Sequence, residues 1–305
     1  MRKMKTLMTG AVALAALVAL PACAQPAPPQ PQATTTDADP ALWVVKDADT
    51  TIYLFGTIHV LKPGLSWFDE AVKTAFDKSD NLVLEMVQPS PEQMQAIVMA
   101  KAITPATDPT LTERIPADKR AAYIKAVTDL GAPANAFDRF QPWLAAVNLS
   151  LTPLMKAGFD PKNGPEGILA EAAKAANKPV SGLETAEQQI GFFGGLSEKA
   201  QITFLTATLD ELPKAVPTME TMVGDWAKGN PDALAKLLND NLKDSPEVAE
   251  TLLFKRNAKW ADWIAERMKT PGTVFIAVGA GHLAGDRSVI ADLKAHKLVA
   301  ERVAY

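Results

Sequence analysis

Thr273-Val274-Phe275-Ile276-Ala277-Val278-Gly279-Ala280-Gly281-His282 decides how this chain is read. A β-branched, apolar run closed by glycine predicts a buried strand that ends in a turn. Thr51-Ile52-Tyr53-Leu54-Phe55-Gly56-Thr57-Ile58-His59 repeats the setting more than two hundred residues earlier. Each run closes on Gly-x-x-His, and two of the three histidines in the chain lie in this pattern. Residues just past the carboxyl ends of strands line the crevice of open α/β sheets. The pair therefore predicts one site assembled from both ends of the chain. The glycines are expected to supply either positive φ or close approach of a neighbour.

Outward from the first run, Leu42 to Val45 pairs with Thr51 to Phe55 around Lys46–Asp49. A helical spacing over Trp67–Asp77 then leads to the strand Asn81–Met86, a strand–helix–strand unit. After Val274–Val278 the C-terminus repeats the plan, with a helix over Arg287–Lys294 and a strand over Lys297–Val303. In the middle, the helix Pro165–Ala176 feeds a strand ending at Glu184. Helices are predicted over 91–102, 117–130, 142–156, 197–211, 231–241 and 246–269, the last cut by Pro271-Gly272. The fold class is α/β: a central mixed sheet built from N- and C-terminal βαβ-type halves, covered by helical insertions.

Residues 1–24 read as a signal peptide, with Arg2, Lys3 and Lys5 before the apolar stretch Ala11–Leu20, which is too short to span a bilayer. Leu20-Pro21-Ala22-Cys23 fits a lipoprotein lipobox, and Ala22-Cys23-Ala24 also fits ordinary cleavage. The expected location is a bacterial envelope, either periplasmic or membrane-anchored through Cys23. Residues 25–40, rich in Pro, Gln, Ala and Thr, read as a tether, and 41–305 as the folded domain. Cys23 is the only cysteine, so the domain has neither a disulfide nor a thiol nucleophile. Without the signal, 28 basic residues face 35 acidic ones, a net charge of −7. That balance disfavours nucleic acid and anionic lipid as partners.

Glu85 and Glu184 end their strands where His59 and His282 follow theirs. Two imidazoles and two carboxylates suit a divalent metal or metal-free acid–base chemistry. Each residue alone has a plainer role. A histidine after a strand serves turns and caps, Glu85 suits a salt bridge, and Glu184 suits the next helix N-terminus. Arg256-Asn257 suits a surface pair, although an arginine fork can also grip an oxyanion. His296, between Lys294 and Lys297, reads as a solvated surface residue. There is no Gly-x-Ser-x-Gly elbow, His-Glu-x-x-His helix or Walker loop. Gly279, Gly281 and Gly285 miss the dinucleotide spacing by one residue, and only four residues follow Glu301.

Gly56-Thr57-Ile58-His59, Leu84-Glu85, Gly182-Leu183-Glu184-Thr185 with Glu187-Gln188, Arg256-Asn257 and Val278 to Leu283 together resemble the TraB/GumN family, which includes the animal Tiki proteases. The resemblance runs from about Leu42 to Val303 and rests on the ordered set. It implies a metal-dependent hydrolase, most simply a peptidase, supported by Mn²⁺ or Co²⁺, with Zn²⁺ the other option. His59, His282 and Glu85 would be the metal ligands. Of Glu85 and Glu184, the one not holding metal would move the proton, and Arg256 would steady the oxyanion. A similarity to erythromycin-esterase-like folds implies the alternative of a metal-free hydrolase with histidine as base. A non-catalytic envelope protein that binds a peptide is the remaining alternative. The expected partner is a peptide or protein substrate.

Overall fold

A computed structural model describes residues 35–242 and 245–305. The signal peptide, Cys23 and most of the Pro-rich segment lie outside the described residues. The strands are β1 (Thr36–Asp37), β2 (Leu42–Lys46), β3 (Thr50–Thr57), β4 (Leu65–Ser66), β5 (Asn81–Met86), β6 (Val180–Glu184), β7 (Gly272–Gly279) and β8 (Glu301–Arg302). β1 and β4 form a small parallel pair, and the other six make one sheet in the order β6-β5-β7-β3-β2-β8. The pairs β6/β5, β5/β7 and β7/β3 are parallel, while β2 runs antiparallel to both β3 and β8. This is the expected mixed α/β sheet with flanking helices.

The two ends of the chain interleave. β7, from the C-terminal region, lies between β3 and β5, which belong to the N-terminal βαβ unit. Apolar content explains the placement. Val274 to Val278 are all buried, as a central parallel strand covered on both faces requires. β2 turns into β3 around Asp47, whose carboxylate accepts from the Asp49 and Thr50 N–H groups.

One sheet face is covered by the helices Glu70–Lys78, Pro165–Ala175 and Ala215–Ala227, around Phe55, Trp67, Phe76, Trp226 and Phe275. The helix Lys255–Arg267 covers the other face through Trp260 and Ile264. A further core joins the helices Pro91–Ala102, Ala117–Asp129, Pro142–Lys156, Ala186–Gly194 and Glu198–Glu211.

Three expectations are revised. The folded part begins before residue 41: Thr36–Asp37 pairs with Leu65–Ser66, and Ala38 is buried. In the C-terminal unit the helix Val289–Asp292 continues as a 3-10 turn over Leu293–His296, two residues later than expected, and the strand is only Glu301–Arg302. The run 246–269 is one helical path interrupted by a π turn at Glu250–Phe254.

Candidate active site

β3, β5, β6 and β7 are parallel, so their carboxyl ends share one edge of the sheet. His59 follows β3, Glu85 and Glu184 lie at the ends of β5 and β6, and His282 follows β7. Arg256, on the helix Lys255–Arg267, joins them. The structure thus brings all five expected residues together.

The two Gly-x-x-His turns touch, and their glycines serve close approach. Gly279 has φ −50°, and Gly56 is not among the positive-φ glycines. A Cβ on Gly56 would lie 3.1 Å from the Ala280 Cα; one on Gly279 would lie 3.0 Å from Glu85 Oε1 and 3.1 Å from His59 Nε2. Trp226 Nε1 donates to the Gly56 carbonyl at 2.7 Å and fixes the first turn from behind.

Arg256 occupies the middle. Its Nε donates to Glu184 Oε1 at 2.8 Å, and Nη2 donates to Glu85 Oε2 at 2.7 Å and Glu184 Oε2 at 2.8 Å. Nη1 donates to the Leu252 carbonyl at 3.0 Å, within the π turn, and lies 3.2 Å from His282 Nε2. A guanidinium has five N–H groups, and here each has an acceptor. Arg256 therefore has no donor left for an oxyanion; it holds the site together. It is buried, as is Asn257, so the surface-pair alternative fails for both.

The glutamates are equally engaged. Glu85 Oε1 accepts from the Gly279 N–H at 2.6 Å, and Oε2 also receives Gln189 Nε2 at 3.3 Å. Glu184 accepts from Gln189 Nε2 at 3.1 Å and Trp260 Nε1 at 3.1 Å. Burial pushes the Glu85 carboxyl up, but the Arg256 guanidinium, His282, His59 and the Gly279 N–H together outweigh it and hold Glu85 well below the usual carboxylate range. A carboxylate so stabilised is a weak base.

The histidines differ. Asn257 Nδ2 donates to the Arg287 carbonyl at 2.6 Å, which turns its Oδ1 toward His282 Nδ1 at 2.6 Å. The network assigns the His282 proton to Nδ1 and leaves Nε2 to accept from Arg256. Burial, reinforced by the guanidinium, pushes the His282 pKa down to about 3. His59 Nδ1 instead meets Glu166 Oε1 at 2.6 Å, and the same oxygen accepts from Thr57 Oγ1. Burial alone would lower the His59 pKa. The Glu166 charge and hydrogen bond, with Glu85, outweigh it and raise the ring to about 9. Glu166 is in turn held low by His59 and Thr57 against its own burial. His59 Nε2 lies 4.0 Å from Glu85 Oε1, and His59 is among the residues lining a cleft of about 320 Å³. It is the unengaged ring nitrogen of the set.

These donors do not fit a divalent cation in this arrangement. Both His282 nitrogens are engaged, and the one facing the site points at a guanidinium cation. Glu85 Oε1 lies 4.0 Å from His59 Nε2 and 3.8 Å from His282 Nε2, and metal ligation by these three would require the 3.2 Å contact between Arg256 Nη1 and His282 Nε2 to break. Among the described residues no three His, Cys, Asp or Glu side chains are grouped as a metal set.

Glu166, Gln189, Trp226 and Trp260 were not anticipated from the sequence. Glu166 had a signal, since Gly164-Pro165-Glu166 opens a helix, and Gly164 is where a Cβ would collide with the His59 carbonyl oxygen. His296 stays apart at the surface, 3.1 Å from Asp262.

The chain is 26% identical over 248 residues to "Uncharacterized protein YbaP" of Escherichia coli (strain K12), covering 81% of this chain and 89% of that one. Its Shigella flexneri counterpart matches equally. An "Uncharacterized protein" of Treponema pallidum (strain Nichols) is 21% identical over 276 residues, covering 84% and 81%. No solved structure matches. The TraB/PrgY/gumN family model matches residues 41–302, the span that carries both Gly-x-x-His turns and every residue they meet, and the chain belongs to that family.

Proposed function

We propose that this protein is a hydrolase that cleaves a peptide or protein of the cell envelope, with His59 as the group that moves the proton and without a metal in the reaction. The observation that carries this reading is the contrast between His59 and the rest of the set. Arg256, Glu85, Glu184 and His282 hold one another, whereas His59 lines the cleft with Nδ1 fixed by Glu166 and no hydrogen bond to Nε2 among the described residues. A histidine oriented by a carboxylate through Nδ1 is a recurrent base in acyl transfer.

In the reaction, neutral His59 takes a proton from a water as that water attacks the scissile carbonyl. The imidazolium returns the proton to the leaving amine. Glu166 holds the ring orientation and stabilises the charged form. The lack of a Cβ at Gly279 lets His59 Nε2 and Glu85 Oε1 sit 4.0 Å apart beside its backbone. The basic and apolar amino-terminal segment supports export.

The test is cleavage of a mixed peptide pool by the purified chain after exhaustive chelation. Cleavage should persist in the chelated parent and fall by at least a hundredfold in His59→Ala. Loss on chelation, reversed by Mn²⁺ or Co²⁺, would establish the metal reading instead. Binding without cleavage under either condition would leave a peptide-binding protein.

A further inference from the structure

Among the described residues β6 is the outermost strand on its side of the sheet and pairs with β5 alone. Leu82 N–H donates to the Pro179 carbonyl at 3.0 Å, which sets the phase of the parallel ladder. In that phase Ser181 turns its backbone groups toward β5, and Val180 and Gly182 turn theirs outward. Ser181 and Gly182 are exposed, and no charged side chain or proline interrupts Val180 to Leu183. Proteins usually blunt such an edge.

Two clefts flank this strand. The 320 Å³ cleft containing His59 is lined by Val180 together with Leu84, Met86, Gly167 and Ala170. A second cleft of about 600 Å³ is lined by Gly182 to Glu184 with Val87, Ala96 and Ile97. Val87 lines both and is 48% exposed. An added strand sends alternate side chains to opposite faces. A segment laid along β6 would meet the outward groups of Val180 and Gly182 with its backbone and pass both clefts, the first mainly apolar and the second partly polar through Gln93, Glu184 and Glu187.

We infer that β6 is a substrate-docking edge: an extended peptide adds to it as a seventh strand, with an apolar side chain in the cleft bounded by Gly167 and Ala170. This rests on the hydrolase reading for the fate of the peptide, and not for its binding. Gly167 and Ala170 are three residues apart on one helix face, and a Cβ on Gly167 would meet nothing within 4 Å. Small residues there set the room for the bound side chain.

The test uses the full chain carrying His59→Ala, so that binding is read without turnover. A pool of octapeptides, acetylated and amidated at their ends, is enriched on the immobilised protein. Retained peptides should share an apolar residue at one position, and N-methylation of their backbone should weaken binding about three- to tenfold at every second amide only. Adding Gly167→Val should move one retained position toward Ala or Gly. No retained peptide, a uniform effect of N-methylation, or a retained set unchanged by Gly167→Val would each overturn the inference. Retained peptides that the parent chain leaves intact would count against hydrolysis and not against docking.

Discussion

Arg256 shows how far a single residue can settle the chemistry of its neighbours. Its five N–H groups lock two carboxylates and one imidazole, which is why the proposed hydrolase reading gives the proton-moving role to His59. Removing one partner of a buried ion pair leaves the other uncompensated, at a cost of about 3–5 kcal/mol. Arg256→Leu should therefore lower stability by about that much in a urea melt, while Glu184→Gln, which keeps the shape and several hydrogen bonds, should cost less. At the other histidine, Glu166→Gln removes the charge that opposes burial. The His59 pKa should then fall from about 9 to below its ordinary value of 6.5, as read by NMR titration of the ring. An unchanged pKa would mean that Glu166 is not the cause.

At the scale of elements, the Gly-x-x-His turns were legible because strand periodicity and glycine are local signals. Both strands, their parallel sense and the gathering of Glu85 and Glu184 beside the histidines follow from them. Long helices were legible where proline marks the start, as at Pro91, Pro142 and Pro165, each of which begins its helix. What escaped were contacts set by packing between distant elements. Glu166 meets His59 only because the helix Pro165–Ala175 packs against β5 and brings its first turn to the loop after β3. Arg256 is buried only because a π turn and Trp260 seat it under the carboxylates. Nothing in its local sequence separates it from a surface arginine. The hold of Arg256 on Glu85, which makes it a weak base, was out of reach for the same reason, since burial and partner number are tertiary facts. Gly279→Ala tests the turn itself. A Cβ 3.0 Å from Glu85 Oε1 and 3.1 Å from His59 Nε2 must displace one of them. The variant should keep its circular dichroism and lose at least tenfold in cleavage rate.

For the whole molecule, the site makes stability depend on pH in a defined way. His59 has a raised pKa, so its contribution is full below 6.5 and is lost as pH rises toward about 9. His282 is pushed down to about 3, so stability falls as pH drops below 6.5, where the unfolded chain takes up a proton the folded chain refuses. The depressed Glu85 adds a further loss below its ordinary value of 4.5. The thermal midpoint should therefore peak near pH 6.5 and decline on both sides. In His59→Ala the alkaline decline should flatten while the acid decline stays.

The account turns on His59 acting as a metal-free base, and the pH dependence of cleavage by the chelated chain tests that most directly. The free ring must lose its proton to act. The specificity constant should therefore rise about tenfold per pH unit and level off near pH 9, and in Glu166→Gln the rise should move to lower pH with a lower plateau. A profile that depends on added Mn²⁺ or Co²⁺, or one whose midpoint ignores Glu166→Gln, would contradict it.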